Sequence, residues 1–565
     1  MEKIIEEKIC SDCEKIFSIT QEDIDYLDKI IPHFGQEVYQ FPLANSCPDC
    51  RQQKRLSFFN ERNLYKRQSD FSGKNIISTY SPDKEVKVFD QTEWWGEWFS
   101  GLNYWRIYKN QKDFFEQFSQ LLKEVPLLSL VQVNCDNSEF NNFLENSKNC
   151  YLCISNQALQ DCQYVTASNG VKSSQEVWWS GNCENSYEIF NCANMYHSFF
   201  CSGCTDGTNL IFCEECNFSQ DCAFCYGLNN QKYHIFNKPY TKEEYEKKMA
   251  EFTFWTHESI EKYKLLFEKF IELLPHQFAH QFRNEMCSWD YLYGNKSCSN
   301  AFSVIETENA RYFFEGGRVK NIYDCSNFYD GEGSSIWSIG VNHGTKVFFS
   351  ANITLSSDIY YSTHLYSCKF CFGCTWLKNQ EYCILNKKYS KEEYFKIVQG
   401  IVEKMIEKDE WGEFFPKALS QFGYNETVAQ EYFPLSKDEA IHRGYAWSDY
   451  IPPNPKVDKI IPWTKLPWDI TSIPDDVLNW AIECEVTKKL FRINVLELEF
   501  YRKHKLPPPR RHPETRHLDR IKKRNPRTLC NRKCYNCQKE IRTSYAPKRP
   551  EKLFCEICYL EEVFS

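Results

Sequence analysis

The sequence predicts a β-rich α+β chain: two parallel β-helix (β-solenoid) regions with inserted helices, flanked at each end by a small cysteine-built module. Three observations predict it. The two ends match each other, one interior region is copied onto another, and the interior cysteines keep a short period.

The ends match without a gap from Arg51–Trp94 to Arg516–Tyr559, an offset of 465. Arg51, Arg55, Asn60, Arg62, Leu64, Arg67, Lys74, Ile76, Tyr80, Pro82 and Phe89 fall on Arg516, Arg520, Asn525, Arg527, Leu529, Arg532, Lys539, Ile541, Tyr545, Pro547 and Phe554. Further upstream the offset is 474, and Cys10, Phe17, Ile19 and Tyr26 meet Cys484, Phe491, Ile493 and Phe500. The two ends are copies of one module.

Inside the chain, Cys222–Tyr240 aligns with Cys371–Tyr389 at an offset of 149. Each copy runs into a capping box, Thr241 with Glu244 and Ser390 with Glu393. Such a box predicts a helix start, because each side chain satisfies a free backbone N–H of the first turn. The short period lies upstream, where Cys162, Cys183, Cys204 and Cys225 are each 21 residues apart. A fixed short period suits a coiled stack of strands in which one residue of each coil recurs at one vertical position. Cys is small and readily buried, so it fills an interior ladder, while interleaved Asn, Ser, Asp and Gly suit the corners.

These observations divide the chain as follows. Residues 1–95 are an N-terminal metal-binding module, 96–127 a connector helix, and 128–240 the first, cysteine-rich solenoid copy. Residues 241–275 are a helical insert, 276–389 the second solenoid copy, and 390–412 a helix. Residues 413–480 are an irregular connector rich in Pro, Gly and Trp, and 481–565 a basic C-terminal module. Apolar residues at three and four spacing predict helices over 112–124, 242–274 and 391–408.

Composition sets the compartment. The chain has 565 residues, 42% of them hydrophobic, which supports several domains. Its start, Met1-Glu2-Lys3-Ile4-Ile5-Glu6-Glu7, lacks the apolar core of a signal peptide, and no apolar run is long enough to span a membrane. The expectation is a cytoplasmic chain with no membrane contact. In that setting its 29 cysteines bind metal or fill core positions.

Two constellations have metal spacing. Cys534 and Cys537 with Cys555 and Cys558 form C-x2-C-x17-C-x2-C. Cys10 and Cys13 with Cys47 and Cys50 form two C-x2-C pairs around a longer loop, with room for a helix over 22–30. Each C-x2-C turn aims two thiolates at one point, and two turns close a tetrahedral cage for Zn2+. The ends therefore read as zinc-ribbon or treble-clef-like modules carrying two structural zinc sites. Each copy keeps a different site. Ser69, Ser72, Asp90 and Glu93 stand where the C-terminal copy has its four cysteines. Thr487, His512 and Thr515 stand where the N-terminal copy has Cys13, Cys47 and Cys50. One cage suffices for each module, because the binding free energy of structural zinc counts toward folding.

Charge is uneven. Residues 501–550 hold 17 Lys+Arg and 3 Asp+Glu, a local +14, so the rest of the −9 chain carries −23. Arg51, Arg55, Arg62, Arg67, Arg516, Arg520, Arg527 and Arg532 are candidates for RNA or DNA backbone contact. The same arginines equally suit an intramolecular clamp onto the acidic body. Weaker signals are His276 and His280, spaced one helical turn apart, and Asp330 with Glu332, a carboxylate pair. On a solenoid such a pair would suit an enzyme acting on glycans. A thiol-based metal or redox role for the central cysteines is the remaining alternative. The sequence favours a zinc-binding scaffold or binding protein over an enzyme, with no catalytic residue assigned.

The stretch Cys10-x2-Cys13-x3-Phe17-x-Ile19-Thr20 through Cys47-Pro-Asp-Cys50-Arg51 resembles the probable zinc-ribbon domain of many small bacterial proteins. The chain as a whole resembles an uncharacterised family of cysteine-rich proteins from uncultivated, small-genome bacteria. Asn60–Tyr65, Tyr80–Asp83, Asn149–Leu152, Gly423–Thr427 and Ala429–Pro434 carry that resemblance. It implies zinc modules around a repeat body and no known activity.

Overall fold

In the computed structural model, residues 3–564 other than Trp255, Glu332 and Trp468 are described. The chain forms two compact units. One comprises Met1–Ser129 and Ala279–Tyr450, the other Leu130–Phe278 and Ile451–Ser565. Each unit joins one terminal module to one solenoid, and the pairing is crossed: the N-terminal module shares a unit with the second solenoid, the C-terminal module with the first. The predicted connector over 413–480 is accordingly divided, at Tyr450, between the units.

Both solenoids are built of 12-residue coils. In the first, Gln175 pairs with Tyr187 and Tyr187 with Phe199, all in parallel. Left-handed backbone recurs every third residue, at Asn182, Asn185, Glu188, Asn191 and Asn194. Each coil is therefore four short sides of three residues, with a left-handed corner after each. Asn and Asp tolerate that conformation best among residues with side chains, which explains their interleaving. They also hydrogen-bond from coil to coil, as Asn182 does to Asn194 at 3.1 Å and Asn194 to Asp206 at 2.9 Å.

One residue of each triplet points inward. The 21-residue cysteine spacing is a multiple of three, so those cysteines share the inward phase. It is not a multiple of twelve, so Cys162, Cys183, Cys204 and Cys225 do not stack, contrary to the expectation of one per coil. The columns that do stack include Val177, Ile189 and Cys201, and beside it Ser180, Cys192, Cys204 and Cys216. In that second column the N–H of Cys192 donates to Ser180 Oγ, that of Cys204 to Cys192 Sγ, and that of Cys216 to Cys204 Sγ, at 3.1–3.4 Å. The second solenoid repeats the device from Ser338 through Ser350, Ser362 and Cys374 to Asn386. Interior thiols thus occupy the same hydrogen-bonding post as serine hydroxyls, which is why the chain accepts so many.

The second solenoid departs from twelve at two places: in its first coil Gln281 pairs with Leu292, 11 residues on, and further along one residue is inserted. Tyr323 pairs with Ile336, 13 residues on, whereas Ile336 pairs with Phe348, 12 on. Nearby, inward glycines make room for rings. A Cβ on Gly316 would meet Phe313 Cζ and Phe328 O, each at 2.3 Å.

The repeat seen in sequence is the solenoid terminator. Asn237 closes the first stack by accepting from Tyr226 N and donating to Tyr226 O, at 2.9 and 2.8 Å. Asn386 does the same with Thr375, at 2.9 Å both ways. The capping-box helices follow, Lys242–Met249 and Lys391–Glu407. Helix His257–Ile271 then buries Ile260, Tyr263 and Phe267 among the aromatic stack Phe200–Phe212–Phe224 of the first solenoid. Helix Phe114–Glu124 covers the second, with Phe114 edge-on to Phe372 at 5.3 Å. Among the described residues no helix is long and apolar enough to cross a membrane.

The two modules share one element order. In the N-terminal module a hairpin (Ile4–Ile9, Ile16–Thr20) leads to helices Gln21–Lys29 and Pro48–Leu56 and a second hairpin (Tyr65–Gln68, Asn75–Ser78). In the C-terminal module Trp480–Glu483 and Leu490–Phe491 lead to helices Val495–His504 and Pro513–Lys523 and the hairpin Cys530–Lys533, Glu540–Thr543.

Candidate metal centres

Each module brings four cysteine sulfurs together. In the N-terminal module Cys10 opens a tight turn in which its N–H donates to Lys15 O and its carbonyl accepts from Glu14 N, both at 2.9 Å. Glu14 is left-handed there, with φ 60°. The second pair enters on helix Pro48–Leu56, where Cys47 is the N-cap, Pro48 sits in the first turn, and Cys50 follows one turn in. Proline suits that place because the amide it lacks has no partner inside the helix. The N–H of Cys47 points at Cys10 Sγ, 3.2 Å away. The four sulfurs lie within 4.8 Å of one another, with Cys13 and Cys47 at 3.8 Å.

The C-terminal tetrad is built alike. Cys534 N donates to Lys539 O at 2.9 Å, Gln538 N to Cys534 O at 3.1 Å, and Cys555 N to Cys534 Sγ at 3.3 Å. Cys558 rides on helix Glu556–Phe564, and Cys537 and Cys555 are 3.7 Å apart. Four sulfurs at about 2.3 Å from a tetrahedral zinc would be separated by roughly 3.8 Å, which these closest pairs match. The neighbouring Cys530 lies in a strand, opposite Thr543, outside the tetrad.

Within each tetrad one sulfur is pushed down while Cys13 and Cys50 in the first and Cys558 in the second are pushed up. The Cys50 thiol donates to the Cys47 sulfur, which holds Cys47 down to about 5 and pushes Cys50 up for the same reason. At Cys534, burial raises the thiol, but the amides of Cys555 and Cys537 outweigh it and bring it to about 6. Many of the interior thiols are raised by burial. Burial pushes Cys162 and Cys201 well above an ordinary thiol, and each donates to backbone carbonyls. Among the described residues only the two tetrads gather three or more metal-type ligands. Three interior thiols run the other way: a hydrogen bond from Cys153 lowers Cys150, one from Cys371 lowers Cys368, and one from Cys298 brings Cys287 to about 7.

The eight arginines point inward to varying degrees. Arg51 and Arg55, at 3% and 0% exposure, both bind Asp324 of the second solenoid. Arg516 and Arg520 both bind Glu176 of the first. Arg51 also lies over the Tyr312 ring at 5.1 Å, and Arg516 over Tyr164 at 4.3 Å. The one-residue insertion changes the solenoid offset from 149 to 148, so Glu176 falls on Asp324 and Tyr164 on Tyr312. Both clamps are copies of one. Arg67 and Arg532 instead hold the second hairpin, donating to Ser81 O and Val86 O and to Ala546 O and Glu551 O. Arg62 faces Glu431 at 3.9 Å, and Arg527 is half-buried.

Sequence reasoning did not single out Asp324, Glu176, Tyr312 or Tyr164. The signal was present, but the inserted residue hid it. The histidine motif dissolves. His276 lies in strand Pro275–Gln277, paired with Lys552–Phe554, not on a helix, and its ring meets Ile271 O at 2.8 Å. His280 meets Asp290 at 2.9 Å. Asp330 is bound by Arg318, and Glu332 lies outside the described residues.

A scan against protein-family models and a search of curated proteins found no match to this chain. The resemblances to a zinc-ribbon domain and to a cysteine-rich bacterial family thus gain no support there, and the tetrads stand on their own geometry.

Proposed function

We propose that the protein is a zinc-stabilised, non-enzymatic scaffold in which each terminal module clamps a solenoid. The observation that carries this reading is that protein sulfur supplies all four corners of each site. A tetrahedral ion so enclosed has no open position for substrate or water, whereas catalytic zinc keeps one. The duplicated arginine–carboxylate clamp supports the other half of the reading. Its test is amide exchange before and after chelation. Residues 3–95 and 481–564 should lose protection while the solenoid coils keep theirs. Unchanged protection in metal-stripped modules would end the structural role.

The +14 balance of residues 501–550 favours a second reading, contact with RNA or DNA. With Arg516 and Arg520 committed to Glu176, it rests on the exposed Lys522, Lys533, Lys539, Arg542 and Lys548. Phosphate contact predicts affinity that falls steeply with salt. Absent or salt-insensitive binding removes this reading.

A further inference from the structure

Each module repeats, at a second place, the backbone that carries the other module's cysteine tetrad. At the place matching the N-terminal tetrad, the C-terminal module keeps Cys484 and replaces the other ligands with Thr487, His512 and Thr515. The backbone is unchanged hydrogen bond for hydrogen bond. Cys484 N donates to Lys489 O at 3.0 Å, where Cys10 N donates to Lys15 O at 2.9 Å. Lys488 N reaches Cys484 O at 3.2 Å, where Glu14 N reaches Cys10 O at 2.9 Å, and Lys488 shares the left-handed φ of Glu14, 61° against 60°. Glu485 N meets Arg510 O at 3.1 Å, where Ser11 N meets Asn45 O at 3.0 Å. His512 N points at Cys484 Sγ at 3.2 Å, the distance between Cys47 N and Cys10 Sγ.

What fills the frame is a set of hydrogen bonds. The fully buried Cys484 sulfur faces the Thr515 hydroxyl at 3.8 Å, besides the His512 amide and the Thr487 hydroxyl. The His512 ring is turned to another task, accepting Glu514 N at the start of helix Pro513–Lys523. The N-terminal module closes its own second frame in a parallel way. Ser69 N donates to Lys74 O at 2.8 Å, where Cys534 N donates to Lys539 O at 2.9 Å. There Glu93, 8% exposed, accepts from Ser69 Oγ and from Asp90 N.

We infer that Cys484, Thr487, His512 and Thr515 form a pre-formed tetrahedral metal frame, held shut by hydrogen bonds, that accepts a thiophilic divalent cation once three thiols are supplied. The inference rests on the reading of the two tetrads as metal sites. It goes beyond that reading in separating the fold of the frame from the ion. Its chemistry is that of any structural zinc cage: the backbone turn fixes the ligand directions, and the side chains decide whether thiolates or donors to a single sulfur converge there.

The test is metal content per chain by mass spectrometry of purified protein, for the natural sequence and for T487C/H512C/T515C. The expected result is a rise from two ions to three, with cobalt-loaded protein gaining half again its sulfur-to-metal charge-transfer absorbance. A folded triple variant that stays at two overturns the inference and leaves the tetrad reading intact. A natural chain without tightly held ions overturns both. If the triple variant does not fold, the converse exchange decides. C13T/C47H/C50T should carry one ion fewer yet keep the Glu14 and Arg51 amides protected in the N-terminal module. Loss of that protection overturns the inference.

Discussion

The two modules begin from one sequence and end with opposite choices. The N-terminal module keeps four cysteines at its first site and a carboxylate network at its second; the C-terminal module keeps four cysteines at its second site and a lone sulfur held by hydroxyls and an amide at its first. Their backbones agree turn for turn, and both grip a solenoid carboxylate with two arginines one helical turn apart. The difference teaches that in this fold a cysteine tetrad and a hydrogen-bonded set are alternative ways of closing the same loop. The arginine clamp, present in both, is the part that does not vary. The comparison breaks if either module survives the loss of its own tetrad unaided, and the substitutions below probe it from the largest effect to the smallest.

Cys47→Ala removes one corner of the only thiolate cage in its module. Structural zinc contributes apparent free energies of about 10–16 kcal/mol, far more than so small a core supplies. Amide exchange should show residues 3–95 opening while 481–564 stay protected. Opening of both modules would contradict their independence.

Asp324→Asn leaves two buried guanidiniums facing one neutral side chain. Breaking such a buried pair costs about 3–5 kcal/mol, read as a fall in the unfolding midpoint. Glu176→Gln should cost less, because Arg516 keeps Glu497 at 3.3 Å. Equal losses would show that the second carboxylate adds nothing.

His364 gives the unit of the second solenoid its own acid sensitivity. Burial pushes its imidazole down to about 3, with its ring stacked on Trp376 at 3.9 Å. The unfolded chain takes up that proton near pH 6.5 and the folded chain does not, so this group's contribution to stability falls as the pH drops from about 6.5 towards 3. His364→Phe should flatten that slope in urea titrations at pH 4 to 6. An unchanged slope would assign it to other groups.

Cys204→Ser should be the mildest. Serine already holds this post elsewhere in the column, at Ser180, so the hydroxyl finds the same partners and the cost should be ~1 kcal/mol or less. A large loss, or a change in metal content, would give the interior thiols a role beyond packing.

Much of this was legible in the sequence. The tetrads were visible because ligand spacing is a local geometric demand. The repeat that proves to close each solenoid was visible because Asn237 and Asn386 sit in matching stretches 149 residues apart that run into capping boxes. The coil length was not legible. Cysteine occupies only some of the inward posts, so Cys162, Cys183, Cys204 and Cys225 suggested 21 where the triplet and the twelve were the physical periods. The clamp was half legible. Arg51 and Arg55 stood out, but Asp324 was displaced by one inserted residue from its counterpart Glu176. The crossed pairing of modules and solenoids follows from packing between distant segments, which order along the chain does not encode.

The most direct measurement is the number of divalent ions per chain in four purified proteins: the natural sequence, Cys47→Ala, Cys555→Ala, and the double variant. Two structural cages, each in its own module, predict two, one, one and none. A natural chain that binds no ion, or a single substitution that releases both, would contradict the account.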